Sequence, residues 1–71
     1  MTQTELETAY QRLRQKKFSS ELSDDEVRTL LAYEYWKDGM DWEYVEAIAG
    51  PYWTRTLAIK ALVECFEYQE V

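Results

Sequence analysis

Three residues in this chain resist helix through their own backbone chemistry, Gly39, Gly50 and Pro51, and all lie towards the middle of the sequence. So few breakers cannot supply the turns of a β fold or the composition of a disordered linker. They leave long uninterrupted runs on both sides, and helical signals fill those runs. Thr2 and Thr4 each stand three residues before a glutamate, Glu5 and Glu7, which is the spacing of a reciprocal helix cap. Leu6, Ala9, Tyr10 and Leu13 recur at helical intervals, predicting a first helix over about residues 4–17. Its acids come early and Arg14, Lys16 and Lys17 come late, each opposing the dipole at its own end.

The clearest start is Ser23-Asp24-Asp25-Glu26, a capping box with three acids in the first turn. Leu22 before it and Val27 beyond it suit a hydrophobic staple. Val27, Leu30, Leu31 and Tyr35 form the stripe of a second helix over about 24–38, closed by a left-handed Gly39. Asp41 is the candidate cap of a short third helix carrying Trp42, Val45, Ile48 and Ala49, which Gly50-Pro51 ends. Thr54 or a neighbour opens a fourth. Its apolar residues surround much of the axis, which predicts a central position in the fold. The expectation is a single all-α domain over residues 1–71, a compact bundle of about four short helices.

Functional classes narrow quickly. The chain has no histidine, which removes the usual general base, the usual partner of a nucleophile and the commonest metal ligand. Asp38, Asp41, Glu43 and Glu46 surround a turn without the spacing of a calcium loop, and two glycines eleven residues apart make no phosphate loop. No cofactor, metal or catalytic residue is expected. Cys65 lies in an apolar helical run and is expected as a small buried hydrophobe. A lone cysteine closes no internal disulfide, residues 1–7 do not read as a signal peptide, and no apolar run is long enough for a membrane span. A reducing, cytoplasmic setting follows as the expectation. Glu34 falls on the inner face of its helix and is expected to reach solvent, to pair with Arg12 or Arg55, or to serve an interface.

Eight basic against fourteen acidic residues give a net charge of −6. Such a surface repels nucleic acid and favours a basic partner. Seven of the eleven aromatic residues lie between Tyr33 and Trp53, interleaved with acids. Tryptophan and tyrosine framed by charge is the composition of interface hot spots. Tyr33, Trp36, Trp42, Tyr44 and Trp53 are therefore the candidate partner-binding residues. The partner would be another protein, including one that itself binds nucleic acid, or a second copy of this chain. The resulting expectation is a non-catalytic regulatory or inhibitor protein, of a composition that a phage or mobile element could encode.

A second reading comes from order of features. Leu22-Ser23-Asp24-Asp25-Glu26-Val27-Arg28-Thr29-Leu30-Leu31 is followed by the Gly39 turn, by Trp42-Glu43-Tyr44-Val45-Glu46-Ala47-Ile48-Ala49-Gly50, and by the helix from Thr54 to Leu62. Residues 22–66 thus resemble the three-helix helix-turn-helix of sigma-factor region 4 and related regulators. The resemblance implies a helix-turn-helix-like C-terminal part and a dimeric transcriptional regulator that binds DNA. Thr54, Arg55 and Lys60 would be its contacts.

Overall fold

The computed structural model describes residues 2–18 and 20–69. These form four helices, α1 (Gln3–Leu13), α2 (Asp24–Lys37), α3 (Trp42–Ile48) and α4 (Arg55–Phe66), and no strand. The caps explain most of the boundaries. Thr2 Oγ1 accepts the Glu5 N–H at 3.1 Å, and Thr54 Oγ1 accepts that of Leu57 at 3.2 Å. At Ser23 the exchange is reciprocal: its N–H donates to Glu26 Oε1 at 2.9 Å while its hydroxyl accepts the Glu26 N–H at 3.3 Å. Lys16 Nζ reaches the other oxygen of Glu26 at 3.0 Å, tying the chain after α1 to the start of α2. The Ser23 N–H first, and Lys16 second, hold the Glu26 carboxyl below its usual range. Asp41 stands at the start of α3 as expected, but its side chain makes no cap bond.

Gly39, at φ +96°, turns the chain out of α2 and lets the Met40 N–H reach the Tyr35 carbonyl at 3.1 Å. Only a residue tolerant of the left-handed region closes a helix this way. The first helix is shorter than its periodicity suggests. It stops at Leu13, the last apolar residue of its buried stripe, because Arg14 to Lys17 bring nothing to bury and the chain leaves to set Phe18 into the core.

The centre of the bundle is α2, not α4. The three other helices each pack against α2 and, among the described residues, not against one another. Surrounding contact requires burial on every side, and α2 has it: Val27, Leu30 and Leu31 on one side, Thr29 and Ala32 on the other. Small side chains at Thr29 and Ala32 let neighbours come close, and the buried Thr29 hydroxyl is satisfied by the Asp25 carbonyl at 2.8 Å. By contrast α4 buries only Ala58 and Leu62 among its residues. Leu6, Leu13, Leu22, Val45 and Ile48 complete the aliphatic centre. Fully burying a leucine or isoleucine contributes about 1.5–3 kcal/mol, and this set carries the small fold.

Candidate partner-binding surface

Rings form a second layer outside the aliphatic centre. Of the eleven aromatic residues only Phe18 is buried, eight lie half-buried against the core, and Tyr44 and Tyr52 are exposed at 47% and 87%. The layer divides into groups. Tyr10 stacks on Tyr33 with centroids 3.8 Å apart, Tyr33 meets Trp36 edge-on at 5.9 Å, and Trp36 meets Trp42 at 6.3 Å. This ladder runs from α1 across α2 to α3, and joins three of the five candidate residues. Offset and edge-on ring pairs contribute about 0.5–1.5 kcal/mol each beyond area burial, so the ladder also fastens the outer helices to α2.

Tyr44 belongs to another group. Its ring meets Tyr35 edge-on at 6.4 Å, and Tyr35 meets Phe66 of α4 at 5.2 Å. Burial first, then the neighbouring Cys65 thiol and Tyr44 phenol, raise the Tyr35 phenol above its usual range. Trp53 stands apart again, half-buried in the turn before α4, where its carbonyl accepts Arg28 Nη1 at 3.1 Å. A further nitrogen of that guanidinium pairs with Asp25, so Arg28 joins α2 to the turn ahead of α4.

The acids give this side of the molecule its character. From Asp38 to Thr54 there are four carboxylates, Asp38, Asp41, Glu43 and Glu46, and no lysine or arginine. All four are exposed, as are Tyr44 and Tyr52, while Val45 and Ile48 fix the inner face of α3 to the core. Tyr44, on the flank of α3 that leans against Tyr35, and Tyr52 in the following turn are thus exposed within a stretch whose charged side chains are all acidic. Tyr52 was not among the candidate residues. Its signal was its place directly after Pro51, where no helix supplies a neighbouring side chain to cover it.

Glu34 is held by neither Arg12 nor Arg55. Its Oε2 accepts the hydroxyl of Tyr68, which the left-handed Glu67 (φ 60°) brings back over α2. Burial is the first cause, and the Glu34 carboxylate the second, that hold the Tyr68 phenol far above the usual tyrosine range. Phe18 packs edge-on against the same ring at 5.3 Å. Cys65 also departs from expectation. It is an exposed free thiol, because Phe66 rather than Cys65 takes the inward position at the end of α4.

The residues implicated in DNA contact have separate fates. Thr54 caps α4. Arg55 turns back to α2, donating from Nη1 to the Leu22 carbonyl at 2.6 Å and lying 3.5 Å from Asp24. Lys60 is exposed on the outer side of α4. Among the described residues no three potential metal ligands converge, and no helix is long and apolar enough to cross a membrane. No protein-family model, no curated protein and no solved structure matches the chain.

Proposed function

We propose that this is a non-catalytic regulatory or inhibitor protein that docks on a basic surface of another protein. The observation that carries the reading is the stretch from Asp38 to Trp53, where Tyr44 and Tyr52 are exposed and the charged side chains, Asp38, Asp41, Glu43 and Glu46, are all acidic and exposed. Rigid rings supply contact area with little side-chain entropy to lose, and surrounding carboxylates steer a cationic partner and reject acidic ones. Trp42 and Trp53, half-buried at the two ends of this stretch, extend the contact, and Tyr33 and Trp36 support Trp42 from behind. Proteins that bind nucleic acid carry basic surfaces of the required kind, and they are the partner class this charge selects. The setting that suits an exposed free thiol is a reducing one, such as the cytoplasm.

The helix-turn-helix reading asks more of α4. Its Arg55 is engaged with α2, and a net charge of −6 opposes approach to phosphate. One experiment separates the two. Immobilised wild type and a Tyr44→Ala/Tyr52→Ala variant, matched by circular dichroism, are compared for the proteins they retain, with a duplex-DNA gel shift alongside. A basic protein retained by wild type and lost by the variant supports docking. Equal retention by both, or a DNA shift that weakens with salt and disappears in Lys60→Ala, overturns it.

A further inference from the structure

Eight of the twelve residues of α4 are apolar, yet only Ala58 and Leu62 are buried against the rest of the chain. Helical spacing sets out what remains. Lys60 and Glu64 lie one turn apart along the middle of the outward side. Ile59 and Val63 flank them on one edge, forming with Thr56 a shallow groove along the helix. Leu57, half-exposed at 50%, and Ala61 flank them on the other. Neither Lys60 nor Glu64 makes an ion pair with another described residue.

Two copies of a chain with net charge −6 repel one another over most of their surfaces. The outward side of α4 escapes that repulsion, since its two charges are of opposite sign and lie between apolar edges. A two-fold axis crossing α4 at the level of Leu62 makes the helices antiparallel. It brings Lys60 of each copy opposite Glu64 of the other, and sets like apolar edge against like, Val63 near its counterpart and Ala61 near its own. Self-complementarity of this kind is what an isologous interface requires. We infer that α4 is a homodimer interface, with a second copy of this chain as its occupant. The surface used is separate from the stretch from Asp38 to Trp53, so the pair would present two acidic, ring-bearing stretches. The inference does not depend on the docking proposal.

The contact is small. A twelve-residue helix is about 18 Å long, below what a permanent dimer needs, so association is reversible with a dissociation constant of about 0.1–1 mM. Sedimentation of wild type, Lys60→Glu, Glu64→Lys and the double reversal, over about 10 μM to 1 mM, tests it. Wild type should rise from near the 8.5 kDa of one chain to about 1.5–1.8 times that mass on average at the upper end. Each single reversal should raise the dissociation constant on the order of tenfold, and the double reversal should restore it. Global charge cannot imitate this pattern. Each reversal moves the net charge of −6 by two, to −8 for Lys60→Glu and to −4 for Glu64→Lys, so general repulsion would make the second variant associate better. Both residues are exposed, so circular dichroism should be unchanged throughout. A wild type that stays monomeric at the upper concentration, a tighter Glu64→Lys dimer, or a double reversal no better than the singles would overturn the inference.

Discussion

Arg55→Ala distinguishes a structural arginine from a surface cation waiting for phosphate. In the structure Nη1 of Arg55 donates to the Leu22 carbonyl at 2.6 Å, which fastens the start of α4 to the residue ahead of α2. Its pairing with Asp24 at 3.5 Å is the lesser contact, since the Asp24 side chain is 66% exposed. A hydrogen bond from a charged donor contributes about 1.5–3 kcal/mol, and an exposed ion pair about 0.2–1 kcal/mol. Water can replace part of the first, because the Arg55 side chain keeps 30% of its exposure. The net expectation is a loss of about 1–2 kcal/mol, or about 5–10 °C in Tm for a domain of this size. Thermal melts followed by circular dichroism should show that drop for Arg55→Ala. Lys60→Ala, which removes an exposed cation from the same helix, should remain within about 0.5 kcal/mol of wild type. If both variants melt with the wild type, the Arg55 bond holds nothing together and the residue becomes available for other work.

Tyr68→Phe removes the hydroxyl that Glu34 accepts and leaves a half-buried carboxylate unpartnered, so it should destabilise by about 1–2 kcal/mol in a denaturant titration. Because the folded Tyr68 phenol titrates above its unfolded value of about 10, its contribution is complete below pH 10 and fades as pH rises beyond it. Alkaline unfolding should therefore begin above about pH 10 in wild type, and Tyr68→Phe should flatten that dependence. Ser23→Ala should lose about 1 kcal/mol with the capping box. The Glu26 carboxyl has a folded value below its ordinary 4.5, so its contribution is present above that pH and is lost on further acidification; a variant lacking the Ser23 side chain keeps the backbone donor and loses only part of it. Cys65 should react with a thiol reagent in the folded protein without unfolding, because the residue is exposed; a native thiol that reacts only once denaturant is added would contradict its placement.

Local chemistry was the legible part of the fold. Ser23 with Glu26, Thr54, Gly39 and Gly50-Pro51 act on neighbours within a few residues, and a sequence displays such neighbours directly. The choice of central helix was not local. Apolar residues around α4 suggested it, but Thr29 and Ala32, which are small rather than strongly apolar, are what let α2 be surrounded. The reach of Tyr68 to Glu34 spans 34 positions and depends on a left-handed glutamate that no pattern announces. Among the candidate residues, clustering in sequence brought Tyr33, Trp36 and Trp42 together in space and failed to join Tyr44 or Trp53 to them. Those two sit where α3 meets α2 and before α4 begins, positions decided by how both helices lie on α2.

Ring-bearing side chains outside an aliphatic centre, in a stretch whose charged residues are all acidic, are the physical basis for the proposed docking. Titrating a retained basic protein into the isotopically labelled chain, and following each backbone amide by NMR, tests it most directly. The largest changes should fall on residues 41–53 and weaken as salt rises. Changes concentrated instead on α1, or on the outer side of α4, would contradict the assignment of this face as the one that binds.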